Sequence, residues 1–169
     1  MIRFATVLAL LLLLPAAGAL AAGPASSQND SKSFRWATKC SEIPTPRIAL
    51  CRIIPDVEQG TIYFGPYVPL FFQIDSQRGR SISIVTDQNC MEQPAMVHFG
   101  SNSPFTIRGR DSLEGALFDR AVAEFRAAKT GTVEYSALPD CKRVTATFYY
   151  SNLDDALAKA VAFVGAGGS

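Results

Sequence analysis

His98 is the only histidine in the 169-residue chain, so a Ser–His–Asp or Cys–His mechanism would have to run through it. It stands in the alternating run Met96-Val97-His98-Phe99, opposite in direction to Val97 and Phe99. There a histidine facing solvent or bonded within a sheet is the expected reading, rather than a general base. No G-x-S-x-G, phosphate-loop, dinucleotide or H-E-x-x-H pattern is present. Carboxylates stand singly: Asp119 and Glu124 on a polar helix face, and Asp111, Glu114, Asp154 and Asp155 at helix starts, where the macrodipole accounts for them. A glycosidase-like pair would have to meet across the fold, and no spacing announces one. These residues identify no catalytic chemistry and call for no cofactor.

The cysteines are more informative. Cys40, Cys51, Cys90 and Cys141 form an even set, and four cysteines allow three connectivities. Cys40–Cys51 and Cys90–Cys141 are the expected disulfides: the first closes a short loop holding two prolines, the second ties the middle of the chain to a C-terminal hairpin. A zinc site is the alternative, but there is no C-x-x-C pair and one histidine. No metal is expected.

Disulfides require an oxidising compartment, and residues 1–21 read as the export signal that leads there. Arg3 supplies the positive end, Val7–Leu14 the apolar run and Ala19-Leu20-Ala21 the cleavage site. As a membrane anchor the run is short of the roughly 20 residues a spanning helix needs, and Pro15 interrupts it. No cysteine follows the cleavage site to carry a lipid. The expected mature protein is soluble, without a transmembrane segment, and periplasmic or extracellular. Loss of Arg3 leaves fifteen basic residues against fifteen acidic ones, which argues against nucleic acid or anionic lipid as the main partner.

Asp111–Tyr150 is the stretch around which the rest must be organised. Leu113, Ala116, Leu117, Ala121, Phe125 and Ala128 recur at helical spacing, predicting a helix over Ser112–Lys129. Asp111 and Glu114 offer a capping box at its start, and Lys129-Thr130-Gly131 a stop with glycine at positive φ. Thr132–Ala137 and Arg143–Tyr150 then read as two strands around a loop carrying Cys141.

The sheet for this helix must come from the earlier chain. Residues 22–33 are polar and small, expected as a disordered tether. Phe34–Thr38 reads as a short strand, with Trp36 as a core anchor beside a disulfide. Ile43–Pro46 turns the chain into the strand Arg47–Ile54, and Ser81–Thr86 is a further strand with Ile82 and Ile84 inward. Between them, Thr61–Asp75 holds Tyr63, Phe64, Tyr67, Phe71 and Phe72 around Pro66 and Pro69. Those aromatics are either core beneath the helix, the preferred reading, or an exposed patch for a partner. Arg78-Gly79-Arg80 and Arg108-Gly109-Arg110 are read as solvated turns, with a shared anion patch as the alternative. Ala95–Gly100 and Phe105–Arg108 are short strand candidates. Asn152–Val164 is a second amphipathic helix with a stripe of Leu153, Ala156, Leu157, Ala160, Val161 and Val164, followed by a flexible tail at 165–169. The expected fold is mainly β with two helices (α+β). It is a single antiparallel β-sandwich or barrel-like domain over 34–164, with a helix packed on it, a C-terminal helix and two disulfides.

The order Trp36-x-x-x-Cys40, Cys51, Cys90, helix, Lys-Thr-Gly-Thr, two strands, then Ser151-x-Leu153-x-x-Ala156-Leu157 resembles the invasion-associated locus B family of bacterial envelope proteins. The likeness covers most of Phe34–Phe163 and is strongest over Ser112–Leu157. Two departures mark a divergent member: Cys90 lacks the close second cysteine usual there, and Asp154 or Asp155 stands where the family tends to have glycine. The resemblance implies a β-rich, disulfide-bonded exported protein, linked in some pathogens to host-cell entry and virulence. It implies no catalytic residues and an envelope or host protein as partner. The competing readings are a small periplasmic inhibitor or binding module of the lysozyme-inhibitor kind, and a hydrolase with an unrecognised site.

Overall fold

The computed structural model describes residues 34–44, 47–56, 68–85, 90 and 92–167. Among them, nine strands and two helices occur in the order β1 (Arg35–Pro44), β2 (Arg47–Asp56), β3 (Leu70–Asp75), β4 (Gly79–Ile84), β5 (Ala95–Phe99), β6 (Phe105–Ile107), β7 (Ser112–Glu114), α1 (Ala116–Ala128), β8 (Thr130–Ala137), β9 (Lys142–Tyr149) and α2 (Leu153–Gly167). They form a five-stranded sheet, β1-β2-β3-β4-β7, and a four-stranded sheet, β6-β5-β8-β9, with every pairing antiparallel. The expected export signal, the tether, the turn at 57–60 and the last two residues lie outside the described residues.

Period-two alternation produces the strands and aims them inward. Ile82 and Ile84 of β4, Val97 and Phe99 of β5, and Ala146 and Phe148 of β9 are all buried while their neighbours face out. The two sheets share one core. Trp36, on β1, meets Phe72 edge-on at 5.2 Å and Phe148 of the other sheet at 6.3 Å. The indole N–H of Trp36 donates to the Tyr149 carbonyl at 2.8 Å, so this residue is a core anchor as its sequence setting implied.

Both expected disulfides are present. Cys40 and Cys51 stand directly opposite each other in the β1–β2 register. Cys90–Cys141 joins the segment before β5 to the β8–β9 turn. That turn holds a cis Leu138–Pro139 bond and a positive φ at Cys141. Two hydrogen bonds reinforce the second tie: Cys90 N–H donates to the Ser136 carbonyl at 2.8 Å, and the Arg143 guanidinium to the Pro94 carbonyl at 2.9 Å.

The long helix departs from expectation at its start. Ser112–Glu114 is not its first turn but a strand, paired with β4 through Ser81↔Glu114, Ile82↔Leu113 and Ser83↔Ser112. Gly115 separates strand from helix at φ 53° and ψ −126°, a conformation that side chains rarely tolerate. The capping box therefore does not form; the Ser112 hydroxyl donates to the Glu114 carboxylate at 2.6 Å instead. Freed from Leu113, the helix buries Phe118, Ala121, Val122 and Phe125, a stripe at i, i+3, i+4 and i+7, and leaves Leu117 46% exposed. Its stop is also different. Lys129 itself takes the left-handed conformation, φ 64°, while Gly131 lies in β8. A Cβ at Gly131 would sit 2.6 Å from the Phe148 ring, so close approach rather than turn geometry requires glycine there.

Candidate functional site

The described residues place a groove of about 630 Å3 between α1 and α2, over the core side of β3 and β4. The apolar part of its lining comes from Ile74, Phe118, Val122, Leu157 and Val161. The burial stripe of α1 turns Phe118 and Val122 into it, and α2 brings Leu157 and Val161 from its opposite wall. On α2, Leu153, Ala156 and Ala160 are buried, whereas Val161 is 52% exposed and Phe163 is also exposed. The stripe expected for this helix is thus split: its first part packs on the sheets and Val161 turns to the surface. From Ala160 to Gly167 the helix carries no ionisable side chain.

Charged groups rim the groove. At one end the Arg80 guanidinium lies 3.2 Å from the Asp119 carboxylate and 5.4 Å from the centre of the Phe118 ring. At the other, Arg126, Tyr150 and Asp154 close a triangle. Arg126 Nε donates to the Tyr150 hydroxyl at 2.8 Å and Nη2 to Asp154 Oδ1 at 2.6 Å, while the Tyr150 hydroxyl donates to the same Oδ1 at 2.7 Å. The hydrogen bond from Arg126, joined by that from Tyr150, holds the Asp154 carboxyl below its usual range. Burial, with the bond to Asp154, pushes the Tyr150 phenol up to about 12. The Arg126 guanidinium is held still more firmly protonated by its bonds to Asp154 and Tyr150. Around neutral pH the triangle is therefore fixed in one protonation state. It clamps α1 to α2 and is not poised to pass a proton.

His98 faces outward from β5, opposite in direction to Val97 and Phe99, as expected. Its Nε2 lies 3.8 Å from Glu134 Oε1 and is buried without a hydrogen-bond partner; the second Glu134 oxygen is 3.8 Å from Arg143. The aromatic run does not form one surface. Phe72 is completely buried against Trp36 and Phe118, which corrects its place in the partner patch: alternate residues of β3 face opposite sides of the sheet. Phe71 is half-buried on the outer side beneath the Arg52 guanidinium, 5.5 Å from its ring centre. Tyr63, Phe64 and Tyr67 lie outside the described residues. The two Arg-Gly-Arg turns do not converge either. The β4–β7 register puts Arg80 beside the Gly115 end of the pair and Arg110 beyond the opposite end.

Sequence reasoning missed the triangle because its members come from α1, the β9–α2 link and α2. Tyr150 and Asp154 are four residues apart, but only the docking of α1 brings Arg126 to them. It also missed the tie made by Asn152, the residue just before α2. The Asn152 side-chain amide accepts from the Trp36 N–H at 2.8 Å and donates to the Trp36 carbonyl at 3.0 Å, covering the edge of β1. Groups of three or more histidine, cysteine or carboxylate side chains able to hold a metal are absent among the described residues, and no helix there is long and apolar enough to cross a membrane. No family model, curated protein or solved structure matches the chain.

Proposed function

We propose that the chain is an exported, non-enzymatic protein of the invasion-associated locus B type, acting through contact with an envelope or host protein at the α1/α2 groove. The observation that carries this is the groove itself. Val161 stands half-exposed beside an apolar floor, and ion pairs surround it at both ends. Contact surfaces combine apolar anchors with such a polar rim, and their energy concentrates in a few central side chains. Two disulfides fit an oxidising compartment.

The test is capture of the partner from an envelope extract by mature protein with a photo-crosslinker at Ala158, repeated with Val161→Asp. The expected result is one dominant crosslinked species that Val161→Asp abolishes while the thermal melt stays unchanged. Capture indifferent to Val161→Asp removes the groove from the reading. An envelope phenotype lost on His98→Ala, with the melt intact, replaces contact by catalysis through His98 and Glu134. Amino-terminal sequencing of exported protein is expected to begin near Ala22; a start at Met1 would overturn the export signal.

A further inference from the structure

A second surface lies on the edge of the five-stranded sheet and shares no residue with the groove. Among the described residues, β1 is an edge strand of ten residues, paired on one side only. Its backbone groups alternate in direction. The N–H and carbonyl of Trp36 point away from β2, since both are taken by Asn152. The outward set is therefore Trp36, Thr38, Cys40 and Glu42, and the inward set holds Arg35, Ala37, Lys39, Ser41 and Ile43. Pro55, which has no N–H to give, stands opposite Trp36, as that alternation requires. Among the described residues, the first outward position is covered by an amide side chain where a neighbouring strand would put a peptide, and at the second the Thr38 hydroxyl donates to the Ala156 carbonyl at 3.1 Å. Beyond it, Cys40 and Glu42 are exposed.

The outer face of the same edge is electrostatically incomplete. Lys39 stands directly opposite Arg52 across the β1–β2 pair, and like charges in that relation destabilise a sheet. Neither forms an ion pair with a carboxylate among the described residues. Arg52 has only the Gln73 amide oxygen, at 3.4 Å, and the ring of Phe71. The two cations border a shallow depression of about 420 Å3 whose apolar walls are Leu50 and Ile54. Glu42, by alternation, projects from the other face of the strand and cannot neutralise them.

We propose that the β1 edge from Thr38 to Glu42 accepts an extended acidic peptide as a sixth strand, its carboxylate paired with Lys39 and drawn by the positive field that Arg52 adds behind it. Main-chain bonds would run to the outward groups of Thr38, Cys40 and Glu42. Lys39 then occupies a non-hydrogen-bonded position against the added strand, where facing side chains approach most closely. Backbone complementarity supplies the docking, and the paired cations select the charge of the partner.

The probes are three fluorescein-labelled, end-capped strand-forming heptapeptides. One has a central glutamate, one a central lysine, and one the glutamate with alternate backbone nitrogens methylated. Anisotropy titrations of the oxidised mature protein should show the glutamate peptide binding about tenfold more tightly than the lysine peptide, the scale of one exposed ion pair gained against one like-charge contact. The methylated peptide should not bind. Lys39→Glu with Arg52→Glu, both at exposed positions, should invert the preference. Glu42→Pro removes an outward N–H without touching the β1–β2 ladder and should weaken the unmethylated peptides with the melt unchanged. Amide resonances of Thr38, Cys40 and Glu42 should shift on titration. Equal binding of both charges, undiminished binding of the methylated peptide, shifts confined to the α1/α2 groove, or no binding at all would each overturn the proposal. Because the groove variant Val161→Asp leaves this edge intact, failure here is distinguishable from failure of the contact reading above.

Discussion

Replacing Phe125 by alanine tests whether α1 is the seam between the two sheets. The side chain is completely buried, and the rings of Phe99, Phe148 and Tyr150 lie at centroid distances of 5.0, 5.0 and 5.1 Å, with Trp36 at 6.3 Å. Removing a buried phenylalanine side chain costs about 3–5 kcal/mol in lost transfer free energy and residual cavity. Edge-to-face pairs contribute roughly 0.5–1.5 kcal/mol each beyond area, and here they are made with Phe148, Tyr150 and Trp36. The neighbours belong to both sheets, so the site cannot collapse by a shift of one element. The expected loss is about 5 kcal/mol. Leu117→Ala, at a 46% exposed position of the same helix, should lose only about 0.5 kcal/mol. Urea melts of the oxidised protein with equal m-values measure both. Equal and small losses would make α1 peripheral and refute the seam.

The Tyr150 phenol is held up to about 12 in the folded chain, against about 10 unfolded, so the stabilisation is complete below about pH 10 and disappears as pH rises through 12. The stability gap between wild type and Tyr150→Phe should narrow across that window, and a constant gap would refute the coupling. Asp154 has the opposite sign: its carboxyl is held low, so its contribution is present above about pH 4 and lost on acidification. Asp154→Asn should therefore destabilise at neutral pH and become silent in acid-limb melts; a cost that persists in acid would overturn the pairing. Gly131→Ala should cost about 1–3 kcal/mol by overpacking against Phe148, whereas Gly165→Ala, open on α2, should gain up to about 1 kcal/mol. Thermal melts that move both in the same direction would contradict these placements.

Features decided by short-range pattern were legible in the sequence. The strands of alternating residues, the Trp36 anchor and both disulfide pairings follow from local spacing and from which loops could close. The phase of α1 was not legible, because Leu113 fits a helical stripe arithmetically. Only its pairing with Ile82 of β4, a non-local contact, assigns it to a strand. A local warning existed: Gly115 sits inside the supposed first turn, where glycine costs about 1 kcal/mol relative to alanine. Moving the stripe past that glycine selects Phe118, Ala121, Val122 and Phe125, a bulkier set than the one containing Leu117. The candidate groove depended on this correction, since Phe118 and Val122 line it and Arg126 closes its rim. Asn152 and the Arg126–Tyr150–Asp154 triangle depend on tertiary docking alone, and no spacing marks them.

The placement of the disulfides gives that docking its importance. Cys40–Cys51 lies within the β1–β2 hairpin, and Cys90–Cys141 ties one segment to the β8–β9 turn, so each staples a single sheet. Their sequence separations are 11 and 51 residues, and loop-closure entropy assigns them about 3 and 4 kcal/mol of constraint on the unfolded chain. Neither bond crosses from one sheet to the other. What crosses is Trp36 onto Phe148 and Tyr149, α1 inserted through Phe125, and Asn152 of the α2 start on the edge of β1. The groove opens where α1 and α2 meet on this noncovalent seam, and the cation-lined edge of β1 lies on a strand that a disulfide fixes to its neighbour. A ligand at the groove can therefore act on how the two sheets are held together, whereas one at the edge docks on a preformed, covalently braced hairpin.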